Sequence, residues 1–152
     1  MLCSKCNRSK GDKDQTDFRE DLPPKTDANC PFCTDINNKT RTIEGLGTVV
    51  AIRDKYPVTT GHCLVVTRRH TPDFFTMTLN ERMDAENLLT IMKKKISKKY
   101  PLVTGFNIGA NCGISSGQTV MHAHFHLIPR RHGDTPKPKG GVRGVIPAKM
   151  AY

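Results

Sequence analysis

Met121-His122-Ala123-His124-Phe125-His126-Leu127-Ile128-Pro129 decides how the rest of the chain is read. Strict alternation of this kind is the pattern of a half-buried β-strand, in which residues two apart share a face. His122, His124 and His126 then line one face, with successive rings about 6–7 Å apart at the usual strand rise. Met121, Ala123, Phe125 and Leu127 point the other way, into a core. The chain has 6 histidines, and half of them fall in this one stretch. A strand that gathers its imidazoles on one face has built a chemical site there.

Just upstream, Asn111-Cys112-Gly113-Ile114-Ser115-Ser116-Gly117-Gln118 is a Gly/Ser-rich loop that delivers the chain to the histidines. Such a loop can offer backbone N–H groups to an anion. Val103 to Gly109 reads as a strand. Before it, Ala85, Leu88, Leu89, Met92 and Ile96 recur at spacings of 3 and 4, the apolar stripe of a helix lying on a sheet. Thr78 and Glu81 supply a capping box at its start, and Pro101 ends it. Thr71-Pro72-Asp73 opens a short helical turn. Gly47–Arg53 and Gly61–Thr67 read as an antiparallel pair across the turn Asp54-Lys55-Tyr56-Pro57.

At 152 residues the chain is long enough for one domain with a real core. Residues 1–28 are polar and charged and read as an N-terminal arm, while 133–152 read as an irregular Pro- and Gly-rich tail. The net charge of +10 favours polyanionic partners such as nucleotides or nucleic acid. With no tryptophan and 3 tyrosines, the chain offers little for a surface that stacks single-stranded bases. No run approaches the length of a membrane span, and the start, with Lys5, Arg8 and Lys10 but no apolar stretch, does not read as a signal peptide. The expected location is cytoplasmic, with no membrane partner.

Six cysteines in such a chain argue for metal ligands or free thiols rather than disulfides. Cys30-Pro31-Phe32-Cys33 is a CxxC turn that lets both sulfurs reach one ion, half of a tetrahedral site. Cys3 and Cys6 form a second CxxC. An all-thiolate site from Cys3, Cys6, Cys30 and Cys33 is therefore one arrangement; separate roles, with Cys3 and Cys6 free or redox-active, are another. Cys63 and Cys112 read as buried apolar residues.

Gly117 through Arg130 closely resembles the signature of the histidine-triad (HIT) family, in which three histidines alternate with apolar residues after a Gly-Gln. Pro57 to His70 resembles that family's second conserved block, a Pro-x-x-x-Gly-His strand ending in basic-basic-His. The likeness covers roughly residues 28 to 132, so a HIT domain is expected over 29–132. Gly140-Gly141-Val142-Arg143 in the tail is more similar to the fragile-histidine-triad and dinucleoside-polyphosphate hydrolase side of the family.

The resemblance implies an α+β fold: an antiparallel sheet of about five strands with two helices, and a homodimer in which two subunits form one continuous sheet. It implies a nucleotide substrate, with His124 as nucleophile on the α-phosphorus and His126 on the phosphate oxygens and the leaving group. Gln118 and Thr119 would position the phosphates with Asn111 nearby. Asp54 would hold the ribose hydroxyls, and His62 would act as a supporting residue. Some relatives carry a structural zinc, which here maps onto Cys30, Cys33, His70 and His122. The competing expectation is a non-catalytic, zinc-dependent nucleic-acid-binding or regulatory module, which leaves the alternating histidines unexplained.

Overall fold

The structure, a computed structural model, describes residues 25–152. Its elements run α1 (Pro31–Asn37), β1 (Thr42–Leu46), β2 (Val49–Arg53), β3 (Cys63–Thr67), α2 (Leu79–Lys99), β4 (Val103–Gly109) and β5 (His124–Arg131). The strands form one antiparallel sheet in the order β1-β2-β3-β5-β4. The α+β expectation of about five antiparallel strands and two helices holds.

The sheet is buried on both sides, and alternation divides its side chains between them. Val49, Ala51, Cys63, Val65 and Leu127 face α2 and pack on Ala85, Leu88, Met92 and Ile96. Val50, Ile52, Leu64 and Val66 face the other way and pack on Cys30, Phe32 and Cys33, which belong to α1 and its first turn. Burial on both faces is why 49–52 and 63–66 read as continuous apolar runs. Leu88 is fully buried where α2 crosses the sheet. Truncation by Leu88→Ala is expected to cost about 2–5 kcal/mol in a denaturant titration, the usual price of a core cavity.

The helix α2 begins as the sequence reads it. Thr78 Oγ1 accepts from the Glu81 amide at 3.2 Å, and the Thr78 amide donates to Glu81 Oε2 at 2.8 Å. Glu81 also accepts two guanidinium bonds from Arg69, each 2.8 Å, which tie the helix start to the segment leading into His70. The expected stripe is inward, with Leu89 partly buried beside it.

Several expectations need correction. Cys30-Pro31-Phe32-Cys33 is not an isolated turn: Cys30 caps a two-turn helix, with Pro31 at its first position. Proline suits that position because its fixed φ is helical and its missing N–H needs no partner there. A first strand, β1, precedes the expected pair. It turns into β2 through Gly47-Thr48, where Gly47 has φ +49 and a Cβ would collide with the Asp84 carboxylate. That carboxylate accepts from the Thr48 amide and hydroxyl at 2.8 and 2.7 Å.

The histidine strand starts three residues late, at His124. Met121 and His122 are still in the turn entering it, where the His122 amide donates to the Val120 carbonyl at 2.8 Å. Met121 is accordingly 40% exposed rather than in the core. Ala123 and Leu127 do face α2, with Phe125 packed against them. Cys63 is buried as expected, but Cys112 is only half-buried on its loop. Most of the N-terminal arm, with Cys3 and Cys6, lies outside the described residues. The tail folds into two short 3-10 turns, Gly141–Val145 and Pro147–Lys149.

Candidate functional site

Two clusters meet where β3 and β5 run side by side. The first is built from three separate stretches: the start of α1, the turn after β3 and the turn before β5 bring Cys30, Cys33, His70 and His122 together. Their ligand atoms all lie within 4.8 Å of one another. Cys30 Sγ is 3.4 Å from His122 Nδ1, and Cys33 Sγ is 3.5 Å from His70 Nδ1 and 3.6 Å from His122 Nδ1. A tetrahedral ion with sulfur at 2.3 Å and nitrogen near 2.0–2.1 Å places such atoms about 3.6 Å apart. Donor set and spacing therefore both fit a four-coordinate metal.

His122 is prepared for that role. Its Nε2–H donates to the Thr67 carbonyl at 2.7 Å, which leaves Nδ1 as the lone pair facing the thiols. Burial pushes its pKa down to about 4, against a smaller opposing pull from that carbonyl, so the ring is neutral as a ligand must be. Backbone ties hold the neighbouring segments: the His70 amide donates to the Lys25 carbonyl at 2.6 Å and the Ala123 amide to the Thr71 carbonyl at 2.7 Å.

The second cluster lies on the same face one step along β5. His124 Nδ1–H donates to the His122 carbonyl at 2.7 Å, so its Nε2 carries the free lone pair. Burial lowers the His124 pKa, and its nitrogen is a base without a proton near neutral pH. His126 is pushed to about 4, first by burial and then by the neighbouring His124 and His62.

His62 connects to His126. The Val58 amide donates to His62 Nδ1 at 3.2 Å, which fixes the proton on Nε2. That nitrogen is 3.0 Å from His126 Nδ1 and 3.3 Å from Asp54 Oδ2, and Asp54 is itself pinned by the Tyr56 amide at 2.8 Å. With His126 Nδ1 accepting, its Nε2–H is left as a donor. Asp54, His62 and His126 also lie close enough to share an ion. The Val58 amide opposes this, because His62 would need its proton on the nitrogen that already accepts. The trio is a hydrogen-bond relay ending at His126.

Both rings border a cavity of about 630 Å³, within the usual size of a small-molecule site. Phe32, Leu64, Ile128 and Val142 supply apolar wall, while Asp54, Asn111, Thr119, His124 and His126 supply polar groups. Arg41 and Lys55 stand at its edge. Asn111, Thr119 and His62, all singled out in the sequence, line the cavity. Gln118 is different. It is 4% exposed, and its amide is saturated: Oε1 accepts from the Gly113 amide, and Nε2 donates to the Pro72 and Val120 carbonyls. Here it holds the loop shut rather than facing the cavity.

The tail's charges are partly committed elsewhere. Arg130 is paired with Asp134, whose carboxyl it holds down at about 2, and Arg143 donates to the Met150 and Lys149 carbonyls. Sequence reasoning missed Phe32, Arg41 and Val142 as cavity wall. Phe32 alone left a signal, as an aromatic residue inside the CxxC.

A two-sided antiparallel sheet that presents neutral imidazoles to a cavity, beside a closed Cys/His cluster, defines an α+β protein with a histidine-centred site. The HIT domain family matches residues 36–133, and the chain belongs to that family. An uncharacterised HIT-like protein of Saccharolobus solfataricus is 36% identical over 105 residues, 66% of this chain and 73% of that one. The asymmetrical bis(5′-nucleosyl)-tetraphosphatase of Schizosaccharomyces pombe is 35% identical over 78 residues, 51% of this chain and 42% of that one. The crystal structure of a Zn-bound histidine triad family protein from Mycobacterium smegmatis superposes with a TM-score of 0.65 at 26% identity, covering 79% of this chain and 92% of that one.

Proposed function

We propose that the protein is a nucleotidyl hydrolase or transferase that cleaves dinucleoside polyphosphates, or nucleoside phosphoramidates, at the α-phosphate through a nucleotidyl-His124 intermediate. The observation that carries this reading is the unprotonated Nε2 of His124, held at the cavity by its Nδ1–H bond to the His122 carbonyl. Such an imidazole is a nucleophile that needs no separate base. Attack forms a phosphorus–Nε2 bond and breaks the bond to the leaving group, which departs as a phosphate anion or, from a phosphoramidate already protonated on nitrogen, as a neutral amine. Water, in a second step, breaks the phosphorus–nitrogen bond and releases a nucleoside monophosphate. The test is a rapid quench with a diadenosine polyphosphate, looking by mass spectrometry for adenylate carried on His124.

The other residues divide the remaining work. His126 donates from Nε2–H to the departing group, as a neutral hydrogen-bond donor rather than an imidazolium. Asp54 and Asn111, at the cavity wall, bind the sugar and phosphates, with Thr119 beside the leaving group. For Gln118 to reach a phosphate it must exchange its backbone partners for the substrate. His62 is a positioning residue that fixes the tautomer of His126. His62→Ala is expected to lower kcat by about a hundredfold, in the range of one acid–base contribution, with KM little changed. His62→Asn, which keeps one donor near His126 Nδ1, should recover part of that loss.

Zinc is the ion assigned to Cys30, Cys33, His70 and His122: two soft thiolates and two imidazoles in a closed set suit it. All four positions are filled by protein, so its contribution is to hold structure and no step passes through it. A homodimer accords with β4, which pairs only with β5 among the described residues and leaves its other edge for a second copy to extend the sheet. No helix among the described residues is long and apolar enough to cross a membrane.

A further inference from the structure

Phe32 lies between the two thiol ligands in sequence and between the two clusters in space. Its ring is 5.9 Å from that of His122 and 5.0 Å from that of His124, edge-on to both. It is 7% exposed and also forms cavity wall. The helix that carries it has little of its own to hold it in place. It is 7 residues long, it lacks a side-chain cap at Cys30, and among its own residues only Phe32 and Cys33 are buried. A helix of two turns is marginal without tertiary ties. The ties present are the packing of Phe32, Cys33 and the partly buried Ile36 on Val50, Ile52, Leu64 and Val66, the two thiols facing His70 and His122, and the ion pair of Asp35 with Arg41, which belongs to the same stretch of chain. A second path joins the clusters through the backbone, since the carbonyl that orients His124 belongs to His122.

We propose that metal occupancy is coupled to the nucleophile: the ion clamps α1 so that Phe32 covers His124 and walls the cavity, and release of the ion uncovers both. This rests on the assignment of a metal to the Cys/His cluster. It makes Phe32 a positioning residue whose placement reports whether the cluster is filled. The ion then acts as a condition for a formed cavity, not only as a staple for the fold.

The test uses diethyl pyrocarbonate, which modifies accessible unprotonated imidazoles, with peptide mass spectrometry to read His124 and the exposed His132 as internal reference. Zinc content is measured in parallel, and far-UV circular dichroism follows the sheet. Stripping zinc from the wild-type chain should raise the His124 rate about tenfold relative to His132, as expected for local opening of a covered group. Zinc-loaded Phe32→Ala should show the same raised rate, and stripping it should add less than about twofold. Zinc-loaded Phe32→Leu, which keeps an apolar cover, should stay near wild type.

An unchanged His124 rate in stripped protein with its sheet intact overturns the coupling and leaves the metal assignment standing. So does a stripping effect as large in Phe32→Ala as in wild type. Loss of the sheet together with the ion overturns it in favour of a purely structural ion. A chain that takes up no zinc removes the metal assignment and the coupling with it.

Discussion

His124→Asn is expected to reduce turnover of a diadenosine polyphosphate by about 10⁴-fold or more, the scale of losing a nucleophile outright. No nucleotidyl-enzyme should be trapped, while nucleotide binding, read by calorimetry, should persist because the cavity wall is intact. Asparagine is the informative change. Its amide can keep a donor toward the His122 carbonyl, now held by Nδ1–H at 2.7 Å, while removing the ring nitrogen that attacks. A variant that retains turnover would sink the covalent reading.

The pH dependence follows from the same rings. His124 and His126 both have lowered pKa values, to about 4 for His126, chiefly through burial. Both rings are therefore neutral above the ordinary histidine value, and His126 stays so well below it, so wild-type kcat should be flat above pH 6.5 and be lost as acidification below that point protonates first one ring and then the other. Stability changes in the same direction. Between pH 6.5 and about 4 the unfolded rings hold protons that the folded His126 refuses, so acidification favours unfolding across that window.

The second large effect is expected at the metal cluster. The wild-type chain is expected to carry one equivalent of zinc by elemental analysis; Cys33→Ser should carry none and should lower Tm by roughly 10 °C or more, corresponding to about 3 kcal/mol in a domain of this size. Cys33 is 2% exposed and faces both His70 and His122. Hydroxyl oxygen is a poor substitute for thiolate on zinc, and the change leaves Cys30 and His122 buried without an ion to join them. Two comparisons sharpen this result. Cys63→Ala should keep zinc at full occupancy, since that thiol, pushed up to about 12 by burial, faces α2 away from the cluster. Replacement of Cys3 and Cys6 together should also keep it. Loss of zinc in that double variant would return the ion to an all-thiolate site.

Much of the site was legible before any coordinates. Three imidazoles at a period of two, a CxxC and a distant basic-basic-His are separate signals that converge on one face. The long helix was equally plain, because its stripe and its capping box agree. What escaped was short or depended on neighbours. α1 spans 7 residues and starts with a proline, a composition that reads as a turn until tertiary contacts are counted. β1 has no clear alternation in Thr-Ile-Glu-Gly-Leu and exists through its pairing with β2. His122 left the strand because the chain is still turning there. Gln118 shows the remaining limit: a sequence identifies an amide beside a site but not which carbonyls it answers to.

The alternation along β5 also bears on how this gene segment can change. From His124 to Ile128, even positions face the cavity, with rings at His124 and His126 and an apolar wall at Ile128, while Phe125 and Leu127 face α2. Deleting one residue inside the strand would exchange the two sets, placing imidazoles in the oily layer and Phe125 and Leu127 at the phosphate side. Point substitutions at Met121 or within the tail leave that phase untouched. The strand is therefore a segment in which length is constrained more tightly than composition, and a library for altering substrate preference should vary side chains there while holding the reading frame of the fold fixed.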